Sequence, residues 1–295
     1  MLSILIPTYN YNVVPLVLEI QKQADSIGMD YEILVQDDFS QKFILENSSI
    51  NSFTNCNFFI NTQNLGRGKN INFLAEKSKY NWLLIMDCDT FPKQKSFIEK
   101  YLIQIKESQK IVFGGIEYQE EKPNQKQLLR WVYGKARESL SVDNRNANPN
   151  GNALTSNLLI EKEIFTLNKF EDYITKYGYE DLIFLRNLKK KGVIVKHINN
   201  PTYHLGIETS EQFLEKTKIA LENLKSITKI YNLESSESKI LRTYIFLKKI
   251  YLTSFITFLF KKAERKIEQN LLSNNPSLVL FDLYKLGYYS KFNSI

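Results

Sequence analysis

The 295 residues suffice for one large domain or a domain with an appendage, and 43% apolar with 24% charged residues describes a globular protein with a substantial core, which sets aside disordered and fibrous classes. Two cysteines, Cys56 and Cys88, fit neither a disulfide scaffold nor a structural zinc site, so a reducing compartment is expected. The net charge of +7 is unevenly placed: residues 1–237 hold 29 basic and 29 acidic side chains, whereas residues 238–295 hold 10 and 3.

Leu2-Ser3-Ile4-Leu5-Ile6 reads as a buried first strand, stopped at Pro7-Thr8-Tyr9-Asn10. It stands where a basic and then apolar leader would stand, which gives the expectation of a cytosolic chain. Val13–Ile27 has helical apolar spacing and ends at Gly28. Tyr31–Val35 reads as a second strand running into Asp37-Asp38, and Asn57–Ile60 as a third, followed by Asn64-Leu65-Gly66-Arg67. A helical stretch over Lys69–Lys79 leads to Trp82–Met86, an unbroken apolar run of the kind found in strands buried on both faces of a mostly parallel sheet. That run ends in Asp87-Cys88-Asp89, a D-x-D pattern, and a turn is expected at Thr90-Phe91-Pro92. The alternation of strand and helix predicts parallel strands with right-handed crossovers. Polar residues follow each strand, so four loops should converge on the rim where open α/β sheets bind ligands.

Phe97, Ile98, Tyr101, Leu102 and Ile105 recur at helical spacing. Ile111–Phe113 reads as a strand ending in Gly114-Gly115, a pair that permits close backbone approach to a ligand. Residues 119–152 are polar and turn-rich and read as a long structureless excursion over the site. Glu180-Asp181 opens a helix with Leu182, Phe184, Leu185 and Leu188 inward; the helix macrodipole favours acids there, so stabilisation accounts for the pair as well as chemistry does. Val193–Val195 reads as a strand, and Asn200–His204 as a loop carrying one of two histidines, the other being His197. Thr209 with Gln212 forms a capping-box pattern at the start of a further helix.

The segments ILIPTYN, DDFS, NLGRGKNIN, LLIMDCD, YGYEDL and the His204 loop, in that order over the first 230 or so residues, resemble a glycosyltransferase of family 2. The resemblance implies the α/β GT-A fold over residues 1–237, followed by a helical tail over 238–295. It implies that Pro7, Thr8 and Tyr9 line a nucleoside pocket and that Asp38, or else Asp37, accepts from a uracil ring. Asn64, Asn72 and Cys88 would border the donor, and Arg67 would approach its base or diphosphate. Asp87 would hold the ribose; Asp89 and His204 would hold Mn2+ or Mg2+. Asn157 and Gly115 would border the donor sugar. Asp181 would be the general base of an inverting displacement, with Glu180 supporting the acceptor, a polysaccharide or lipid-linked glycan. One departure is Ile71, where that branch of the family carries arginine before the asparagine; an anion contact is missing or is supplied by Lys69. A nucleotidyltransferase is the second enzyme class, but the glycine-rich phosphate loop it needs is absent from ILIPTYN. A catalytically degenerate nucleotide-sugar-binding module is the non-enzymatic alternative.

Within the tail, Ile240–Ile267 is rich in aliphatic and aromatic residues, including Tyr244, Phe246, Tyr251, Phe255, Phe258 and Phe260, and is interrupted by Lys248-Lys249 and Lys261-Lys262. Its apolar run Ile250–Phe260 has 11 residues, against about 20 for a membrane-spanning helix. Two readings stay open: a helix lying in an anionic interface, on the inner face of the cell membrane, or packing on the catalytic domain or on a second copy as a homodimer. No nucleic-acid-reading module is present in the sequence.

Overall fold

The structure, a computed structural model, describes residues 1–173 and 177–293. Its strands are β1 (Leu2–Thr8), β2 (Tyr31–Asp37), β3 (Cys56–Ile60), β4 (Trp82–Met86), β5 (Thr90–Pro92), β6 (Ile111–Phe113), β7 (Ile116–Glu117), β8 (Asn157–Glu161), β9 (Lys196–His197) and β10 (Thr202–His204). Its helices begin with α1 (Val14–Ile27), α2 (Ile44–Ser48), α3 (Arg67–Lys77), α4 (Phe97–Lys106), α5 (Leu128–Arg137) and α6 (Val142–Asn146). They continue with α7 (Lys162–Thr166), α8 (Glu180–Lys190), α9 (Ser210–Tyr231), α10 (Lys239–Lys249), α11 (Thr253–Leu271) and α12 (Leu278–Asn293). The chain parts into two compact units: Met1–Gln119, Glu138–Thr175 and Glu180–Gly206 form the first, and Glu120–Arg137, Lys176–Tyr179 and Ile207–Ile295 the second.

The first unit is a mixed sheet in the order β3-β2-β1-β4-β8-β6-β9. β1 pairs in parallel with both β2 and β4, and β2 with β3, as the alternating pattern predicts. The strand order therefore reverses between β1 and β4, the switch point at which α/β sheets open a crevice. The unbroken apolar run of β4 has a direct cause. Leu84 and Met86 enter one core with Ile4, Val17, Ile33 and Phe97, while Leu83 and Ile85 enter the other with Leu5, Leu34, Ile71 and Phe184. Each such side chain stabilises by about 1.5–3 kcal/mol when fully buried, so both faces must be apolar. β8, which the sequence reading did not anticipate, runs antiparallel to both β4 and β6.

Several expectations are corrected. Thr90–Pro92 and the end of Asn200–His204 are strands rather than a turn and a loop: β5, β10 and β7 make a separate three-stranded sheet. The strand expected at Val193–Val195 lies at Lys196–His197, where it can pair with β6. Residues 119–152 are not structureless, since they carry α5 and α6, and α5 belongs to the second unit.

That second unit also corrects the expected boundary at residue 237. It takes in α9, because Leu214 of α9 and Leu129 of α5 share a core with Phe260, Leu271, Phe281 and Tyr284 from the tail. Tyr288 donates to Glu222 at 2.8 Å, fastening α12 to α9. The capping box expected at Thr209 and Gln212 is present, with both reciprocal hydrogen bonds made.

One buried hub in the first unit ties the two sheets together. Asn157 is fully buried; its amide donates to Gly115 O and Asn200 O, both at 2.9 Å, and its Oδ1 accepts from Tyr101 Oη at 2.6 Å. Gly114 sits against this hub so closely that a Cβ there would lie 2.3 Å from Asn200 O and 2.4 Å from Tyr101 Oη. The protein's own atoms thus suffice to require the glycine. Gly114→Ala should therefore cost about 1–3 kcal/mol, as overpacking does, read as a lowered midpoint in chemical denaturation. An unchanged midpoint would show that the hub can relax around a methyl group.

Candidate active site

Loops meet at the carboxyl ends of β1 to β4, and antiparallel β8 brings its amino end to the same rim. Met86 lies opposite Asn157, and Asp87 N–H donates to Ser156 O at 3.1 Å. Asp38, just past β2, accepts from Leu65 N–H at 2.8 Å, from Gly66 N–H at 2.9 Å and from Asn61 Nδ2 at 2.9 Å. Asn64 Nδ2 donates to Asp38 O at 3.1 Å. This carboxylate therefore shapes the loop that starts α3. Asp37 is likewise engaged internally, accepting from Ser40 N–H at 2.8 Å and from its hydroxyl at 2.5 Å.

The loop so held delivers Arg67 to the centre of the rim. Arg67 Nε donates to Asp87 Oδ1 at 2.8 Å, Nη2 lies 2.6 Å from the same oxygen, and Nη1 donates to Asp181 Oδ1 at 3.0 Å and to Thr155 Oγ1 at 2.8 Å. Thr155 in turn donates to Asp181 through its hydroxyl at 2.6 Å and its N–H at 3.2 Å. Asp87 and Asp181 are 27% exposed and Arg67 24%, so the cluster is reachable from solvent yet poorly hydrated. Burial alone would lower the Arg67 proton affinity, but Asp87 and then Asp181 outweigh it and raise the guanidinium above its ordinary value. Asp87 is raised from the carboxylate range, chiefly by burial, with Arg67 opposing and the charges of Asp89 and Asp181 adding.

Asp89 faces the other way. Its Oδ2 lies 3.3 Å from His204 Nε2, with the two side chains 27% and 13% exposed. Strand pairing makes the contact: β5 starts at the residue after Asp89 and runs antiparallel to β10, setting His204 opposite Thr90. Leu205 N–H then donates to Asp89 O at 2.8 Å. Tyr118 packs its ring 5.3 Å from the His204 imidazole. Two ligands placed cis on a cation with bonds of about 2.1 Å stand about 3 Å apart, so the Asp89–His204 pair fits as two of the donors for a hard divalent ion. Among the described residues no three His, Cys, Asp or Glu side chains are grouped as a metal site. Asp87 is drawn off by Arg67, and other coordination positions would fall to ligand oxygens and water.

Of the remaining residues expected here, Tyr9 is 52% exposed at the mouth, while Thr8 and Pro7 are buried at the end of β1. Cys88 is half-buried, and burial with the Asp89 charge pushes its thiol up to about 12. Asn72 and Asn157 do not face the rim. Asn72 pins residue 170 by donating to Phe170 O at 2.9 Å and accepting from its N–H at 3.0 Å, and Asn157 forms the buried hub. Gly115 has φ +104°, and a Cβ there would lie 2.8 Å from the Arg145 guanidinium, so its close approach is also internal. Ile71 is fully buried in the core, so this position presents nothing to a ligand.

Three residues unmarked by the sequence reading matter here. Thr155 has no motif signal, being one hydroxyl in a polar stretch. Asn61 is drawn in as a partner of Asp38. Gly206 has a signal only in retrospect, standing two residues after His204: a Cβ there would lie 2.5 Å from Asp89 Oδ2, so only glycine lets the acid sit against the chain.

Residues 3–166 match the sequence profile of Glycosyl transferase family 2. The chain belongs to that family. The matched span runs from β1 to α7 and so includes Arg67, Asp87, Asp89 and Thr155, whereas Asp181 and His204 lie beyond it. Among solved structures, the glycosyltransferase is similar to mannosyl-3-phosphoglycerate synthase from Rubrobacter xylanophilus, with 15% identity, 79% of this chain and 76% of that chain covered, and a TM-score of 0.55. It is also similar to the mannosyltransferase PcManGT from Pyrobaculum calidifontis, in complex with GDP-Man and Mn2+, with 12% identity, 77% and 64% coverage and a TM-score of 0.52. TarS of S. aureus matches at 15% identity and a TM-score of 0.49 over 76% of this chain, which spans 39% of that one. A search of curated proteins gave no match. The likeness to the first two, at TM-scores of 0.55 and 0.52, shows the fold alone, GT-A: a mixed α/β unit followed by a C-terminal helical region.

Glu180 provides a test of the electrostatics. Burial, and then the neighbouring Asp181 charge, raise its carboxyl from the ordinary 4.5, and its Oε2 is buried without a hydrogen-bond partner. The folded chain then holds this proton more tightly than the unfolded chain. The resulting stability is full below the unfolded value and is lost as pH rises through the folded one. Glu180→Gln cannot ionise, so its melting temperature relative to the parent should rise as pH climbs above about 4.5 and level off once the folded carboxyl has ionised. A constant or falling difference across that range would contradict the direction of the shift.

Proposed function

We propose that this glycosyltransferase moves a sugar from a nucleoside-diphosphate donor, UDP-linked, to a hydroxyl group of a polysaccharide or lipid-linked glycan, with inversion at the anomeric carbon. The observation that carries the reading is the Arg67 guanidinium joining Asp87, beside Asp89 at the end of β4, to Asp181 at the start of α8. On this reading the guanidinium stands between a donor-side acid, Asp87, and the acceptor-side base, Asp181. The complex recorded for PcManGT contains GDP-Man and Mn2+, which supports a nucleoside-diphosphate donor and a divalent ion.

Asp181 suits the role of base because Thr155 and Arg67 fix both of its oxygens in place. As the acceptor oxygen bonds to the anomeric carbon, its proton passes to Asp181. The bond from that carbon to the diphosphate oxygen breaks on the opposite face, and its electron pair leaves with the diphosphate. Glu180, whose carboxyl is pushed up by burial and then by the Asp181 charge, stands beside that base and supports the acceptor. Asp87 accepts from the ribose, and Thr8 and Tyr9 wall the nucleoside. A divalent ion held by Asp89 and His204 would neutralise charge on the departing diphosphate.

Positioned base catalysis is worth about 10²–10⁴-fold. Asp181→Asn should lose that much transfer while retaining donor binding by calorimetry, and the product should carry the anomeric configuration opposite to the donor's by NMR. Retained configuration would overturn the displacement mechanism, and loss of donor binding in step with turnover would reassign Asp181 to binding. Chelation should abolish transfer, with Mn2+ or Mg2+ restoring it.

A further inference from the structure

The junction of α10 and α11 concentrates apolar surface that the second unit leaves uncovered. Among the described residues, seven large apolar side chains between positions 246 and 259 are exposed, from Leu252 at 41% through Phe258 at 53%, Phe255 at 55% and Phe246 at 60% to Tyr251 at 91%. The two helices bend by 119° across the break. Tyr251 stands in that break at φ 58°, a left-handed conformation disfavoured for a residue with a Cβ, and points its ring outward. Charge surrounds the tip. Residues 239–266 contain eight basic side chains and one acid, Glu264, which is paired with Lys291 at 2.8 Å. Lys248, Lys249, Lys261 and Lys262 flank the exposed aromatics, with Lys262 Nζ 4.4 Å from the Phe258 ring.

We infer that this helical hairpin tip docks the protein on an anionic lipid bilayer, with Tyr251, Phe255 and Phe258 in the headgroup–acyl boundary and the four lysines at lipid phosphates. The chemistry selects this occupant. An apolar cap ringed by cations matches a surface that is anionic outside and hydrocarbon beneath. A nucleic acid would use the lysines and leave the apolar cap wet. A second copy would cover the cap but would bring eight bases and one acid against the same surplus. No single helix among the described residues is long and apolar enough to cross a membrane; α10 and α11 pass that test only as a bent pair. The bend leaves a tip that enters one leaflet. The inference does not depend on the proposed transfer reaction.

The test uses the full chain with vesicles of phosphatidylglycerol in phosphatidylcholine, compared with phosphatidylcholine alone. Flotation should occur with the anionic vesicles only and should weaken as salt is raised. The paired substitution Phe255→Ser with Phe258→Ser should lower the bound fraction about tenfold or more, as should Lys248→Glu with Lys261→Glu. All four residues are exposed, so these variants should keep the parent's circular dichroism and its donor hydrolysis without vesicles, which separates this proposal from the catalytic one. In a gain-of-signal variant, Phe255→Trp emission should shift to the blue on anionic vesicles and be quenched by brominated acyl chains. Equal flotation with neutral lipid, parent-like binding by the tip variants, or unshifted emission would overturn the proposal. A soluble dimer that dissociates on changing Phe255 and Phe258, with no flotation, would overturn it in favour of a second copy.

Discussion

A short antiparallel register, three residues long, holds the candidate site of this protein together. β5 begins where the Asp87-Cys88-Asp89 turn ends, and its pairing with β10 sets Thr90 opposite His204. A slip of one residue would turn every side chain of β10 to the other face, taking the imidazole away from Asp89. Two neighbours guard against the slip. Leu205 N–H donates to Asp89 O, and Asn157 draws Asn200, just before β10, onto β8 and the glycine pair after β6. Gly206 then lets the Asp89 carboxylate lie against the backbone where any side chain would collide. The proximity of acid and imidazole is thus a backbone property, enforced from both ends of a small sheet.

The second constraint is electrostatic. Asp87, Asp89, Glu180 and Asp181 share one rim, and partly buried carboxylates of like charge disfavour one another's ionisation. Arg67 offsets this by lying between two of them. Its planar fork reaches Asp87, Thr155 and Asp181 together, a geometry that a lysine ammonium could not reproduce. Arg67 is itself placed by Asp38, whose carboxylate gathers the Leu65 and Gly66 N–H groups into the loop that opens α3. An acid on one strand end therefore positions a base that organises two acids on other elements. Asp38 contributes to the site as the fixed point of this chain.

The sequence made β1, β2 and β4 plain because each carries an apolar run buried on both faces, and β3 because Cys56 and Phe58 turn inward while Asn57 and Ile60 stay exposed. It also showed the rim, since polar residues follow every one of those strands. The small sheet was illegible for the opposite reason: β5, β7 and β10 have two or three residues each, too few to carry any period. β8 offers only a three-residue apolar run, Leu158–Ile160, between Asn157 and Glu161, a length at which periodicity does not separate strand from helix. Arg67 was marked as a site residue, but its partners lie 20 and 114 positions away, and no local pattern encodes that. The glycine pair was read as permitting close approach of a ligand; in the fold Tyr101 and Asn200 crowd Gly114, and Arg145 crowds Gly115.

The tail shows how packing can divide one compositional run into two surfaces. Ile240–Ile267 reads as a single aromatic, basic stretch with neither glycine nor proline to interrupt it, and yet the helix breaks at residues 250–252. The cause lies in α12. Tyr244 of α10 packs edge-on against Tyr289 at 5.0 Å between ring centroids, and Phe260 of α11 packs against Tyr284 at 5.5 Å. On one straight helix residues 244 and 260 would stand about 24 Å apart, whereas residues 284 and 289 are about 7.5 Å apart along α12. Both contacts can form only if the chain doubles back between them. The turns on either side of the break then project away from α12, and their aromatic residues remain exposed because the buried ones meet the same short stretch of helix.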